Sequence, residues 1–183
     1  METNFSEESY DELVQRLFSR FKSFQTAGRE AYHPGLEAME IFDSLLGHPH
    51  RSYRTVHVAG TNGKGSVIAY LYTTFSNAGY RVGRYISPSV YSYREKMEVD
   101  GRAVSREAFA GYITRVAAAI EEMTSEGLAH PTPFEIETAV AFLFFAEENC
   151  DLVILEVGMG GNLDATNIIK NTILAVLVPI SMD

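Results

Sequence analysis

The stretch HVAGTNGKGSVIAYL, His57 to Leu71, constrains the fold more than any other part of the chain. Three glycines, a lysine and a serine lie between an apolar run and an amphipathic one, which predicts strand, tight turn and helix in succession. Glycine lets the turn take positive φ and lets backbone N–H groups approach a ligand. The helix start adds its positive dipole end. Thr61, Asn62, Gly63, Lys64, Gly65 and Ser66 are therefore candidate phosphate-binding residues, with Lys64 as a mobile charge for the terminal phosphates of a nucleotide. The general NTPase pattern G-x-x-x-x-G-K-[ST] is not met. Val58 stands at its first glycine and Gly65 follows the lysine, so Ser66 is displaced by one and another residue is expected to hold the metal.

The flanking pattern predicts an α/β protein with a doubly wound, mostly parallel sheet and helices on both faces. Strands are expected at Thr55–Gly60, Arg81–Ser87, Asp151–Gly158 and Thr172–Val178. The runs LVIL and TILAVLV suit parallel strands covered on both sides. Helices are expected over Ser9–Phe21, from Leu36 to Leu46, from Ser66 to Ala78, from about Ser105 to Ser125, and over Glu135–Glu148, with a loop or small hairpin at Tyr91–Gly101. The glycine turn, Ser87 and Glu156 then fall at carboxyl ends of strands, where such sheets bind ligands.

At 183 residues the chain suits one domain with its own core. Its 46% apolar and 21% charged residues are those of a folded globular protein. A formal charge of -9 argues against nonspecific nucleic-acid binding, which depends on neutralising phosphates. No signal-peptide pattern opens the chain, and no run approaches the roughly 20 apolar residues of a membrane span. A cytoplasmic protein without nucleic-acid or membrane partners is expected. Cys150, the single cysteine, is read as a buried structural thiol. His57, inside the first strand, is read as a satisfied structural residue.

Four ordered segments carry a family resemblance. HVAGTNGKGSV, YISPSVYSYREKMEVDG, TPFEIETAVAFLFF and LVILEVGMGGNLDATNII resemble motifs of the folylpolyglutamate synthase and dihydrofolate synthase family, within the Mur ligase superfamily. Mur ligases typically place Thr or Ser directly after the lysine, so Gly65 favours the folate branch.

The resemblance implies a Mur-ligase-like ATP-binding domain and a set of site residues. Lys64 and Glu156 would be catalytic, and Ser87 and Glu156 would hold Mg2+. Thr132, Pro133, Phe134 and Glu135, with Leu163, Asp164 and Ala165, would contact the pterin substrate. From the residues alone, Ser87 could cap a Ser-Pro turn and Glu156 could sit in a salt bridge. Asp164 could cap a turn, Phe134 could be core, and Glu135 could be a first-turn residue favoured by the helix dipole. Asn162 stands where the family often has a basic residue. The tyrosines and Arg94 after Pro88 are read either as a grip on folate or as a solvated loop.

The implied reaction is ATP-dependent ligation of L-glutamate to dihydropteroate or folates through an acyl phosphate, by a parent enzyme expected to be a monomer. Family members read on past VLVPISMD as aspartate-histidine, and that histidine is a further metal contact. The resemblance therefore implies that residues 1–183 are one truncated amino-terminal ATP-binding domain, with an incomplete sheet, no C-terminal glutamate-ligase domain, and little activity alone. Such a sheet could leave an apolar edge that self-associates. Two other functions remain open: a stand-alone nucleotide- or pterin-binding module without catalysis, and a P-loop kinase acting on a small molecule. The displaced Ser66 and the lack of a lid arginine cluster weigh against the kinase.

Overall fold

Strand β5, Leu152–Glu156, forms the hub of the fold, and all five of its residues are buried. In the computed structural model of the protein, which describes residues 35–89 and 91–181, it is hydrogen-bonded in parallel to β1, Arg54–Ala59, on one side and β2, Val82–Tyr85, on the other. Strand β6, Thr172–Leu177, adds in parallel to the far side of β1. Beyond β2, the short strands β3, Met97–Val99, and β4, Arg102–Ala103, run antiparallel, giving the order β4-β3-β2-β5-β1-β6. The Tyr91–Gly101 segment thus ends in a hairpin. Its two-residue turn, Asp100-Gly101, has positive φ at both positions, the geometry that matches strand twist. The helix expected over Ser9–Phe21 lies outside the described residues.

Side chains alternate along β5 and divide the core in two. Leu152 and Ile154 pack with Val56, Val58 and Val82 beneath helix α2, Lys64–Asn77, whose Ile68 is fully buried. Val153 and Leu155 face the opposite side, under α1, Glu37–Leu45, α3, Arg106–Ser125, and α4, Pro133–Glu147. Helix α4 is buried on nearly every side, so its sequence has almost no polar stripe. Phe142 and Phe145 are among its fully buried side chains, each contributing roughly 1.5–3 kcal/mol of burial.

The expected elements appear with their ends shifted by a few residues, and β6 departs further. TILAVLV reads as a strand covered on both faces, yet among the described residues β6 is an edge strand paired with β1 alone and largely exposed. Ile173, Leu174 and Leu177 all face solvent. An apolar run reports a preference for burial and cannot say whether neighbouring elements supply it.

Candidate active site

Three strand tips meet at the carboxyl edge of the sheet. In the parallel registers Val58 lies opposite Glu156 and Tyr85 opposite Leu155, so the chain leaving β1, β2 and β5 emerges on one edge. The glycine turn follows β1, Ser87 follows β2, and Glu156 closes β5.

Gly63 caps α2 with φ +97, a left-handed conformation that favours glycine. The helix begins at Lys64, two residues before the expected Ser66. Its first internal bond runs from Val67 N–H to the Gly63 carbonyl at 3.1 Å. The amides of Lys64, Gly65 and Ser66 consequently lie at the unsatisfied helix terminus. Thr61 and Asn62 are placed differently. Their N–H groups donate to the Pro179 carbonyl at 3.1 and 3.4 Å. The Thr61 hydroxyl also donates to the Ser181 carbonyl at 3.1 Å, and Asn62 Nδ2 donates to Ser181 Oγ at 3.3 Å. These two residues brace the turn against the segment after β6.

Lys64 Nζ donates to the Gly60 carbonyl at 2.9 Å and stands 3.6 Å from Glu156 Oε1. The other carboxylate oxygen, Glu156 Oε2, accepts from Ser87 N–H at 3.0 Å. Glu156 is 7% exposed, a depth at which an unpaired carboxylate would be costly. The lysine, the amide and the carboxylate form one connected group. No cluster of three or more His, Cys, Asp or Glu able to hold a metal ion occurs among the described residues. A carboxylate bonded to the backbone of a serine brings hard-oxygen side chains to one place, suited to a cation that takes most of its ligands from phosphate and water.

The second group of candidates surrounds Phe134. Thr132 caps α4 in a reciprocal box: Glu135 N–H donates to Thr132 Oγ1 at 3.3 Å, and Thr132 N–H donates to Glu135 Oε2 at 2.6 Å. Pro133 occupies the first turn, where its missing N–H costs nothing. The polar atoms of Thr132 and Glu135 thus build the helix start, the first-turn alternative for Glu135. Phe134 is half-buried and stacks on Tyr85, with ring centroids 6.4 Å apart and planes 28° apart. Gly158 presses against the same ring: a Cβ added there would lie 2.7 Å from Phe134 Cζ.

Leu163 is exposed, while Asp164 and Ala165 are buried. Asp164 accepts from Met159 N–H at 2.8 Å and from Thr166 N–H at 3.0 Å, so its carboxylate caps the 3-10 turn at Ala165–Ile168. Among the pterin candidates Leu163 is exposed and Thr132, Pro133 and Phe134 are half-buried, while Glu135, Asp164 and Ala165 are buried. Arg94 Nη1 donates to the Val104 carbonyl at 2.8 Å, a structural tie.

Two features escaped sequence reasoning. Lys96 and Glu137 form a buried ion pair at 2.5 Å, just beneath the start of α4. Burial raises the Glu137 carboxyl, opposed by the hydrogen bond and charge of Lys96. A lone carboxylate inside the apolar run TPFEIETAVAF is the signal that could have announced a buried partner. The second is the partner of His57, a residue expected to be satisfied and structural: its Nε2 lies 2.7 Å from Thr166 Oγ1. Burial lowers the His57 pKa more than the nearby Asp164 raises it. Cys150 is buried and free, and burial pushes its thiol up to about 12, as a structural thiol requires.

A mostly parallel sheet with a glycine-lysine turn after β1, and a serine and a glutamate at the tips of β2 and β5, defines a P-loop α/β domain of the Mur ligase type. No protein-family model matches the chain. The dihydrofolate synthase/folylpolyglutamate synthase of Bacillus subtilis is 40% identical over 151 residues, 82% of this chain and 35% of that protein. A Mycobacterium tuberculosis folylpolyglutamate synthase, solved with ADP and AMPPCP, superposes with TM-score 0.83 at 32% identity, covering 95% of this chain and 38% of that one. A bifunctional folylpolyglutamate synthase/dihydrofolate synthase solved with Mn, AMPPNP and L-glutamate gives 0.75 at 33% identity, covering 83% and 36%. The chain belongs to the folylpolyglutamate synthase and dihydrofolate synthase family, and it spans between 18% and 35% of the length of the curated relatives it matches. No described helix is long and apolar enough to cross a membrane.

Proposed function

We propose that this chain supplies the ATP- and pterin-binding part of a ligase that joins L-glutamate to dihydropteroate or folate. The observation that carries the reading is the connected group at the three strand tips, with Lys64 3.6 Å from Glu156 and Ser87 N–H on the same carboxylate. The amides of Gly63 to Ser66 and the Lys64 ammonium bind the β and γ phosphates. Thr61 and Asn62 act on ATP through the turn they brace. The Ser87 hydroxyl and Glu156 would hold Mg2+, whose chemistry there would be to neutralise charge on the phosphate oxygens. Phe134 offers a face to the flat heterocycle beside Leu163, with Thr132, Pro133, Glu135, Asp164 and Ala165 shaping that wall.

The substrate carboxylate attacks the γ-phosphorus, the bond to the β-phosphate oxygen breaks, and ADP leaves. The amine of L-glutamate then attacks the acyl phosphate carbon, loses a proton, and expels inorganic phosphate. Positioning and charge neutralisation dominate such phosphoryl transfer. Lys64 rests on the Gly60 carbonyl beside Glu156 and can move onto the phosphates when they arrive.

Calorimetric titration of the chain with ATP and Mg2+ tests the reading. A hydrogen bond to a charged group contributes about 1.5–3 kcal/mol, so Lys64→Met should weaken ATP binding roughly ten- to hundredfold. Glu156→Gln should abolish the benefit of Mg2+. Unchanged affinity in Lys64→Met would sink the assignment, and transfer of phosphate to a small molecule without glutamate would point to a kinase.

A further inference from the structure

His57 takes no part in the site above, yet it closes a buried chain of hydrogen bonds that reaches into it. Thr166 Oγ1 lies 2.5 Å from Asp164 Oδ1 and 2.7 Å from His57 Nε2. Thr166 N–H donates to the same Asp164 oxygen, and Met159 N–H donates to the other. His57, Thr166 and Asp164 are 9%, 0% and 4% exposed, so water does not compete for these bonds. An ionised carboxylate only accepts, and a hydroxyl has one proton to give. Thr166 must therefore donate to Asp164 and accept from His57, which fixes the proton of the neutral imidazole on Nε2.

The chain of bonds joins two parts of the sheet. His57 sits on β1, three residues before the Gly60 that opens the phosphate turn. Met159, Asp164 and Thr166 belong to the segment after β5, which carries Leu163 and packs Gly158 on Phe134. Asp164 gathers that segment around its carboxylate, and His57 is the link from the gathered segment to the phosphate-loop strand.

We propose that His57 is a positioning residue: through Thr166 and Asp164 its Nε2–H holds residues 159–166 in the shape that lines the substrate side of the site. The functional half of this statement rests on the pterin reading given above; the structural half stands without it.

The test uses the whole chain in three forms beside the wild type: His57→Ala, His57→Gln, whose amide can present a donor in place of Nε2–H, and Thr166→Val. Nitrogen-15 correlation spectra of the imidazole should show the Nε2–H tautomer in the wild type. In His57→Ala, hydrogen exchange at the Met159 and Thr166 amides should quicken roughly tenfold, the scale of one lost buried hydrogen bond. Exchange in β1 and α2 should stay unchanged, and His57→Gln should restore most of the protection. Dihydropteroate, used as the probe, should bind His57→Ala about tenfold more weakly while ATP affinity holds. Thr166→Val should match His57→Ala in both readouts. An Nδ1–H tautomer, unaltered loop exchange in His57→Ala, or equal losses in the alanine and glutamine variants would overturn the proposal. A wild-type chain that shows the tautomer and the loop protection but no dihydropteroate binding would overturn the pterin reading and leave the His57 lock standing.

Discussion

Lys96→Met should cost stability in proportion to pH, because it leaves Glu137 buried with no cation. The two side chains are each 10% exposed and meet at 2.5 Å. Removing one partner of a buried pair typically costs about 3–5 kcal/mol, since the other charge remains desolvated. The stranded carboxyl can limit that loss by taking up a proton. An unfolded glutamate titrates near pH 4.3 and each pH unit is about 1.4 kcal/mol, so proton uptake caps the electrostatic loss at about 3.7 kcal/mol at pH 7 and about 1 kcal/mol at pH 5. The sign follows from linkage: a carboxyl whose folded pKa is raised leaves stability intact below its unfolded value and removes it as pH rises. Urea unfolding of Lys96→Met should therefore show a deficit that grows from pH 5 to pH 7. Adding Glu137→Leu, which removes the stranded charge, should recover most of the pH 7 loss. A deficit of the same size at both pH values, or a double variant no better than the single one, would refute this account of the pair.

Gly158→Ala should cost about 1–3 kcal/mol by overpacking, since the new methyl would lie 2.7 Å from Phe134 and 3.3 Å from Asp164 Oδ2. Thermal melting would show the loss, and dihydropteroate binding should weaken as the Phe134 ring moves. Gly60→Ala should be worse, because φ is +133 there and the added carbon would meet the Val178 carbonyl oxygen at 2.5 Å. A drop in melting temperature together with weakened ATP binding would confirm it. For His57, burial holds the folded pKa below the unfolded value near 6.5, so its contribution is complete above that pH and declines as pH falls below it. Urea midpoints from pH 7.5 to pH 5 should fall less steeply in His57→Gln than in the wild type.

Local chemistry explains which parts of this architecture could be read from sequence. GTNGKGS, the Ser-Pro pair and LVILEV announce themselves within a few residues each, and the alternation of apolar runs sets the parallel order of helices and strands. Glu135 was legible as a first-turn residue, one of two alternatives, while its reciprocal box with Thr132 went unread although the three-residue spacing is local. What else escaped depends on partners far away in sequence. Glu137 finds Lys96 41 residues earlier, and His57 finds Thr166 109 residues later. Thr61 and Asn62 carried the right residue types for a phosphate turn, but the Pro179 carbonyl that receives their amides lies beyond β6. The resemblance implied an incomplete sheet with an apolar edge, but the run TILAVLV did not mark β6 as that edge: composition sets an appetite for burial, and topology decides whether it is met.

The bond from Thr61 to Ser181 spans 120 residues. A turn braced from so far downstream cannot mature early in folding, because long-range closure comes late and slowly. The nucleotide affinity proposed above should thus act as a gauge of maturation, rising only once β6 has zipped onto β1.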